Sequence, residues 1–170
     1  MSTSPPRETS STEAPRRTRM STILMIVAAI AALLLVAVLV NIALKIEDWS
    51  RDLSTNTAAT APDHQDERQR PIASTLPPSD LAKVVAAAIA PMSHWKLEEE
   101  KLSEQGAELH LTRTTGLMRY VDDIHVTIQL TPTGSLLSAR SASRIGKGDL
   151  GQNPRNLREL LAAVKQQLKQ

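Results

Sequence analysis

An uninterrupted apolar segment constrains this chain more than any other feature. Residues Ile23 to Val40 contain no polar side chain, and residues 42–44 extend the segment beyond Asn41. A helix of about twenty residues, rising about 1.5 Å per residue, spans the roughly 30 Å hydrocarbon core of a bilayer. Such a helix also satisfies its own backbone hydrogen bonds in lipid. The segment therefore predicts a transmembrane helix over residues 21–46, with residues 23–44 in contact with membrane lipid.

Neither a cleaved signal peptide nor a buried globular helix fits the segment as well, and the flanking charges predict its orientation. A signal peptide has a shorter apolar region followed closely by small residues, and a buried globular helix shows a polar face. Cytoplasmic flanks carry the excess of Lys and Arg. Only Lys45 and Arg51 follow the segment closely, whereas the cations before it are Arg7, Arg16, Arg17 and Arg19. We predict a single-pass protein of the inner cell membrane with a cytoplasmic N-terminus and an extracytoplasmic C-terminal domain.

The rest of the chain divides by composition into a tail, a linker and one domain. Residues 1–20 are mostly Ser, Thr, Pro and Arg, so they predict a disordered N-terminal tail. Residues 47–79 are rich in Asp, Thr, Ala and Pro, which predicts a flexible linker. Residues 80–170 are left for one small soluble domain. The chain has no cysteine, which excludes disulfides, thiolate metal sites and cysteine nucleophiles.

The pattern of apolar residues in this domain predicts its fold class. Two segments have apolar residues at helical spacing, one from about Ser79 to Pro91 and one that opens with Asn153-Pro154. Between them, apolar and polar residues alternate as in about four strands. A turn at residues 131–134 would pair Leu130 with Ser135 and bring the apolar faces of two strands into register. We predict an α+β two-layer domain, with an antiparallel sheet of about four strands and both helices on one face.

Polar residues concentrate where the last two strands face each other and in the glycine-bearing loop that follows. In the predicted register, Asp122 lies opposite Ser143 and His125 lies opposite Arg140. The candidate residues for binding a ligand or partner are Asp122, Asp123, His125, Arg140, Ser141, Ser143, Arg144, Lys147, Asp149 and Asn153.

Two interpretations of this region stay open. In the first, a hydrogen-bonded network locks the strand ends to the loop, and Asp122 accepts hydrogen bonds from Ser143 or from loop amides. In the second, the region binds an anion or polar ligand. Arg140, Arg144 and Lys147 would supply the charge there, and the amides of residues 146–151 would supply donors ahead of the last helix.

Catalytic, metal and nucleic-acid sites are less well supported. Ser141 and Ser143 share a strand face with Asp122, whereas His125 points to the opposite face, so the nucleophile–base contact of a triad is missing. His110, His125, Asp122 and Asp123 lack the spacing of a metal motif such as His-Glu-x-x-His, so we predict neither a metal nor a cofactor. Aromatic residues make up 2% of the chain and are not interleaved with basic ones, so we predict no nucleic-acid partner.

Two motifs carry a resemblance to a known family. Tyr120-Val121-Asp122-Asp123 and residues 140–153, Arg-Ser-Ala-Ser-Arg-Ile-Gly-Lys-Gly-Asp-Leu-Gly-Gln-Asn, resemble the bacterial family known as domain of unknown function fourteen-ninety-nine. The likeness covers about residues 80–168 and includes a closing amphipathic helix. It directs attention to Asp122, Asp123, Arg140, Ser141, Ser143, Arg144, Gly146, Asp149, Leu150, Gly151 and Asn153. Many relatives have a Cys- and Pro-containing segment before the first helix, whereas this chain has no cysteine. The resemblance implies no activity, substrate or cofactor.

The sequence therefore favours a membrane-tethered, non-enzymatic domain that binds a partner protein or an anionic envelope ligand through residues 140–153. The charge distribution motivates this prediction, since residues 113–170 carry nine Lys and Arg against four Asp and Glu. One alternative is a hydrolase that uses Asp122 or Asp123 as general base. Another is a structural accessory subunit of a membrane complex.

Overall fold

The computed structural model describes residues 16–44, 46, 49–116 and 118–170. The described residues form two compact units, which divide between residues 44 and 45. The described part of the first unit is one helix, α1 (Arg16–Ala43). Its stretch Met20–Ala43 is long and apolar enough to cross a membrane, and none of it is buried. The predicted disordered tail covered residues 1–20. Residues 16–20 of it are helical, and residues 1–15 lie outside the described residues.

The second unit is an α+β domain, as predicted. Its elements are α2 (Trp49–Ser54), β1 (Thr57–Ala59), β2 (Ile72–Ser74), α3 (Pro78–Ile89), β3 (Trp95–Ser103), β4 (Gly106–Thr114), β5 (Val121–Thr131), β6 (Gly134–Ser143) and α4 (Gln152–Gln167), with a short 3-10 turn at Glu67–Gln69. The sheet is antiparallel, and its order is β1-β6-β5-β4-β3, with β2 also on β6. It has six strands where about four were predicted.

The prediction of a flexible linker over residues 47–79 is wrong for the part that the structure describes. β1 pairs with residues 140–142 of β6, and β2 pairs with residues 135–137 of the same strand. Without them, β6 would be an edge strand with unpaired backbone groups. Because each added strand has only three residues, neither shows the alternation by which a strand is recognised in sequence. The folded domain therefore starts about thirty residues earlier than the predicted boundary at residue 80.

The predicted register between β5 and β6 is confirmed. Leu130 pairs with Ser135, His125 with Arg140 and Asp122 with Ser143. α3 and α4 cover the sheet face on which the apolar residues of both strands lie, and the core that results is almost entirely aliphatic. Its largest fully buried side chains are Leu81, Val85, Leu109, Leu111, Ile124, Val126, Ile128, Leu137, Leu157, Leu160, Leu161 and Val164. We call the opposite face, where Thr127 and Gln129 are exposed, the open face.

Candidate functional site

Asp122 lies at the start of β5 on the helix-covered face, and both of its carboxylate oxygens have hydrogen-bond donors. Its exposed fraction is 1%. Oδ1 accepts a hydrogen bond of 2.6 Å from Ser143 Oγ, and Oδ2 accepts one of 2.8 Å from Asn156 Nδ2. A buried charge is tolerated when donors replace its lost hydration. These donors explain how a carboxylate can lie on the same buried face of β5 as Ile124 and Val126.

Asn153, at the beginning of α4, links this carboxylate to the loop before the helix. Its side chain is fully buried. Its Oδ1 accepts a hydrogen bond of 2.5 Å from Ser141 Oγ, and its Nδ2 donates to Ser143 Oγ at 2.9 Å and to Asp149 Oδ2 at 2.5 Å. Two strand serines, one helix asparagine and one loop aspartate thus form a continuous network, which is the first of the two interpretations of this region.

Three of the six amides that were expected to bind an external anion already have acceptors within the chain. The Asp149 carboxylate accepts from the amides of Gly151 at 2.9 Å and Asn153 at 2.7 Å, so it caps the N-terminus of α4. The amides of Asp149 and Leu150 donate to the carbonyl of Asp52 at 3.1 and 3.0 Å. An anion at this helix terminus would have to displace the chain's own carboxylate, so these described amides do not form the predicted anion site.

Residues from the predicted linker complete the network, and the sequence did not predict them. The carbonyl of Asn56 accepts from the Ser143 amide at 3.0 Å and from Asn153 Nδ2 at 2.7 Å. Its own side chain donates to the Gly146 carbonyl at 2.8 Å. Asp52 has an exposed fraction of 1%. No pattern in residues 47–79 indicates either position, because Asn56 lies between α2 and β1 and Asp52 lies in a helix of only six residues.

Asn156 was not predicted either, although the sequence holds a signal for it. It is fully buried in α4 and donates to Asp122 Oδ2 at 2.8 Å and to Ser141 Oγ at 3.2 Å. It lies among the residues that form the apolar stripe of the helix. Asn156 is a polar residue within that stripe, and the sheet that the stripe covers has a carboxylate, Asp122, at a core position. Buried polar groups need partners, so the two side chains are expected to pair.

Asp123 points to the open face and belongs to a separate cluster. Arg144 donates to both of its carboxylate oxygens, at 2.8 and 2.7 Å, and His110 Nε2 lies 2.8 Å from its Oδ1. The hydrogen bond from Arg144 is the largest cause of a pKa for Asp123 lowered to about 2, with His110 contributing in the same direction. Asp123 is therefore held as a paired carboxylate, which does not suit a general base that works near neutral pH.

Of the other candidate residues, His125 contacts the Asp123 cluster through His110, whereas Arg140 and Lys147 belong to neither cluster. His125 stacks on His110 on the open face, with ring centroids 4.8 Å apart. Arg140 and Lys147 are exposed. The predicted site residues are thus divided between the network under the helices, the Asp123 cluster and isolated positions on the surface.

This arrangement offers no workable triad and no evident metal centre among the described residues. Ser141 and Ser143 are on the helix-covered face, where their hydroxyls donate to Asn153 and Asp122, whereas His125 is on the open face. No group of three or more His, Asp and Glu side chains in the described part of the chain could hold a metal ion. The polar network is best understood as a scaffold that fixes the loop of residues 144–151.

That loop borders a cavity of about 430 Å³. Its wall contains the buried network at Asp122 and Ser143, whereas its edge bears four exposed large apolar side chains, which we call the apolar rim. The exposed fractions are 62% for Met118, 45% for Tyr120, 68% for Ile145 and 39% for Leu150. A contiguous exposed apolar group of this kind marks an interaction surface more often than isolated apolar residues do.

The loop is held to α2 by the hydrogen bonds of the Asp149 and Leu150 amides to the Asp52 carbonyl, and Gly148 packs directly against the helix. A Cβ at residue 148 would overlap the carbonyl oxygen of Leu53 and would lie 2.8 Å from that of Asp52. Leu150, with a φ of 53°, and Gly151, with a φ of 73°, form a left-handed turn immediately afterwards. The rim residues Ile145 and Leu150 are therefore presented by a loop that is fixed on both sides.

Similarity to known proteins points to one family. Residues 45–164 match the family described as Protein of unknown function (DUF1499). A solved structure with a similar chain is that of protein MLL2253 from Mesorhizobium loti, with 11% sequence identity and a TM-score of 0.43, covering 66% of this chain and 96% of that one. No curated protein matches the chain. The family match begins at residue 45, so it includes the strands that the predicted boundary at residue 80 left out.

Proposed function

We propose that this chain, which belongs to the DUF1499 family of proteins of unknown function, is a membrane-anchored, non-enzymatic protein. In this proposal its domain binds lipid at the apolar rim. The observation that carries the proposal is the cavity with its four exposed apolar side chains. Side chains of this size gain free energy when they leave water, roughly 25 cal/mol per Å² of apolar surface buried. The rim therefore offers a site for the acyl region of a lipid.

The proposed membrane anchor is the helical stretch Met20–Ala43. Its 24 residues extend about 36 Å at 1.5 Å per residue, enough for the hydrocarbon core of a bilayer. The larger number of arginines before it favours a cytoplasmic N-terminus and an extracytoplasmic domain. A cleaved signal sequence is the alternative, and it is disfavoured by the length of the segment and by the lysine at residue 45.

The membrane anchor favours lipid over other apolar partners. A protein held in a bilayer by its apolar segment always has lipid available, whereas a partner protein must be recruited.

Cations near the rim support the same ligand class. Lys147 is exposed in the loop, and Arg155, which lines the cavity, donates to the carbonyl of Leu150 at 2.9 Å. Basic side chains beside an apolar surface suit the anionic headgroups of a membrane. In this proposal the anionic partner predicted from the sequence is a lipid headgroup, and it is held by side chains rather than by loop amides.

Spin labels on the full-length protein in liposomes test the proposal, and the absence of cysteine allows single labels to be introduced cleanly. Ile145→Cys tests the rim. Leu130→Cys is the matched control, because Leu130 is also exposed, at 53%, but lies near the opposite end of β5, about 30 Å away at 3.3 Å per residue. We expect the label at residue 145 to collide with dissolved oxygen more than with a water-soluble nickel chelate, and the label at residue 130 to show the reverse.

A third label, Leu35→Cys in the apolar segment, supplies the reference ratio of oxygen to nickel-chelate collisions for a lipid environment. Equal access of the nickel chelate to residues 145 and 130 would show that the rim faces water. Protection of residue 145 from both reagents would show that protein covers it. Either result would overturn the lipid assignment.

A further inference from the structure

We propose that a second cavity, at the end of the sheet near residues 94–96, 112–116 and 119, binds a phosphate-type oxyanion. This cationic cavity has a volume of about 490 Å³. The lining residues that bear charge are Lys96, Glu98, Arg119 and Arg144, and they are joined by His94 and by the hydroxyls of Thr112, Thr114 and Thr115. The proposal does not depend on lipid binding at the apolar rim.

The charges of the cationic cavity do not cancel among themselves. Lys96 pairs with Glu98 at 2.6 Å, and Arg144 pairs with Asp123. Arg119 is exposed and makes no hydrogen bond or ion pair among the described residues. One positive charge in the wall is therefore left for a ligand, and a guanidinium matches two oxygens of a phosphate group at once.

Arg144 has further donors available after its pairing with Asp123. The carboxylate takes hydrogen bonds from Nε and Nη2, whereas a guanidinium has five N–H groups. The Asp123 pairing fixes the plane of this side chain at the cavity, and Nη1 is not part of it. Arg144, whose charge is balanced by Asp123, thus adds N–H donors to the cavity that Arg119 also lines.

The backbone that presents Arg119 is held in an unfavourable conformation. Arg119 has a φ of 53° and His94, on the other side of the cavity, a φ of 71°. Thr115 and Tyr120 close the loop around Arg119, since the Thr115 amide donates to the Tyr120 carbonyl at 2.8 Å and Thr115 Oγ1 accepts from the Tyr120 amide at 2.9 Å. Positive φ values at residues other than glycine are uncommon and collect at ligand sites.

The test is a calorimetric titration of the full-length protein in detergent with inorganic phosphate, against chloride at equal ionic strength. Arg119→Gln removes the unpaired cation. Arg140→Gln is the matched control, because Arg140 is an exposed arginine of the open face that does not line the cavity. We expect phosphate binding that is weakened at least fivefold by Arg119→Gln and unchanged by Arg140→Gln. Equal binding by both variants, or heat no different from chloride, would overturn the proposal.

A second variant separates a ligand role from a structural one. Arg119→Gly relieves the positive φ, so it should raise the thermal midpoint while it abolishes phosphate binding. A lower midpoint together with retained binding would identify Arg119 as a structural residue and would refute the proposal.

Nanodiscs distinguish the source of the oxyanion. The wild type and Arg119→Gln are each placed in discs of phosphatidylcholine with or without phosphatidic acid. The measurement is how far added free phosphate protects each protein against thermal unfolding. Competition between phosphatidic acid and free phosphate, lost in Arg119→Gln, would assign a lipid headgroup to the site. Binding of free phosphate that phosphatidic acid leaves unchanged would assign a soluble phosphate.

Discussion

Ser143 Oγ donates a hydrogen bond of 2.6 Å to Oδ1 of Asp122 directly across the β5–β6 pair. The pairing joins the last residue of β6 to a buried carboxylate near the start of β5. It therefore fixes the point at which the chain leaves the sheet and enters the loop of the apolar rim. The same carboxylate receives Asn156 from α4, so one side chain holds a strand and a helix at the base of the cavity.

Replacing this carboxylate by its amide should destabilise the domain. Asp122→Asn puts an NH₂ group where one oxygen now accepts, so a donor would face either Ser143 or Asn156. We expect a loss of about 2–3 kcal/mol in the free energy of unfolding, as for a buried hydrogen bond to a charged group left unsatisfied. Urea unfolding of the full-length protein in detergent, followed by the fluorescence of the buried Trp95, measures it.

The control for this variant is Asp80→Asn, which changes an exposed carboxylate that pairs with Lys83 at 2.8 Å. A surface pair of this kind contributes little to stability, because solvent screens both charges. Equal effects of the two substitutions would contradict the structural role assigned to Asp122.

Gly148 should not tolerate a side chain, because the backbone of α2 occupies the space. Gly148→Ala would force the Leu53 and Asp52 carbonyls away from the loop, and we expect a loss of about 1–3 kcal/mol from this overpacking. Gly116→Ala is the matched control, since its Cβ meets nothing within 4 Å. Gly116→Ala should be neutral or stabilise by up to about 1 kcal/mol through the unfolded state. Thermal midpoints of both variants decide the prediction, and a neutral Gly148→Ala would show that the loop moves freely.

The parts of the fold that follow a period could be predicted from the sequence. The alternation of Ile124, Val126 and Ile128 with polar residues determines which face of β5 is buried, and the turn after Leu130 then sets the register with β6. These two constraints were sufficient to pair Asp122 with Ser143. They also place the serines and the histidine of β5 and β6 on opposite faces, which is why periodicity by itself counts against a catalytic triad.

The remaining contacts follow no period and could not be predicted. β1 and β2 have three residues each, too few for a pattern, and the contacts of Asn56 and Asp52 with the loop arise only from tertiary packing. The capping of the α4 amides by Asp149 could not be predicted for the same reason. The sequence shows glycines ahead of a helix, but it does not show that Asp149 folds back to cap that helix before an external anion can.

The apolar segment predicts a labelling pattern across the membrane. Ser11→Cys lies before the segment and Thr133→Cys lies in the exposed turn between β5 and β6. In spheroplasts, a membrane-impermeant maleimide should label residue 133 at once and residue 11 only after permeabilisation, because more of the flanking arginines precede the segment. The reverse order would invert the topology. Loss of residue 11 from the mature protein, seen by intact mass, would identify a cleaved signal sequence instead.

Acid should remove the stabilisation that Asp123 provides. The pKa of Asp123 is lowered from its ordinary 3.8 to about 2 by the hydrogen bonds from Arg144 and His110. A lowered pKa means that the unfolded chain takes up the proton first, so the contribution is complete above about pH 4 and is lost as the pH falls towards 2. Since Arg144 is half exposed, we expect no more than about 1 kcal/mol at pH 6.

Comparison with Asp123→Asn isolates this contribution from those of the other carboxylates that titrate in the same range. The asparagine resembles the protonated aspartic acid in shape and charge. The thermal midpoint of the wild type should therefore exceed that of Asp123→Asn at pH 6, and the difference should shrink steadily to near zero by pH 2. High salt at pH 6 should reduce the same difference, because the pair is accessible to solvent. A difference that persists unchanged at pH 2 would mean that Asp123 stabilises the sheet by packing rather than by its charge.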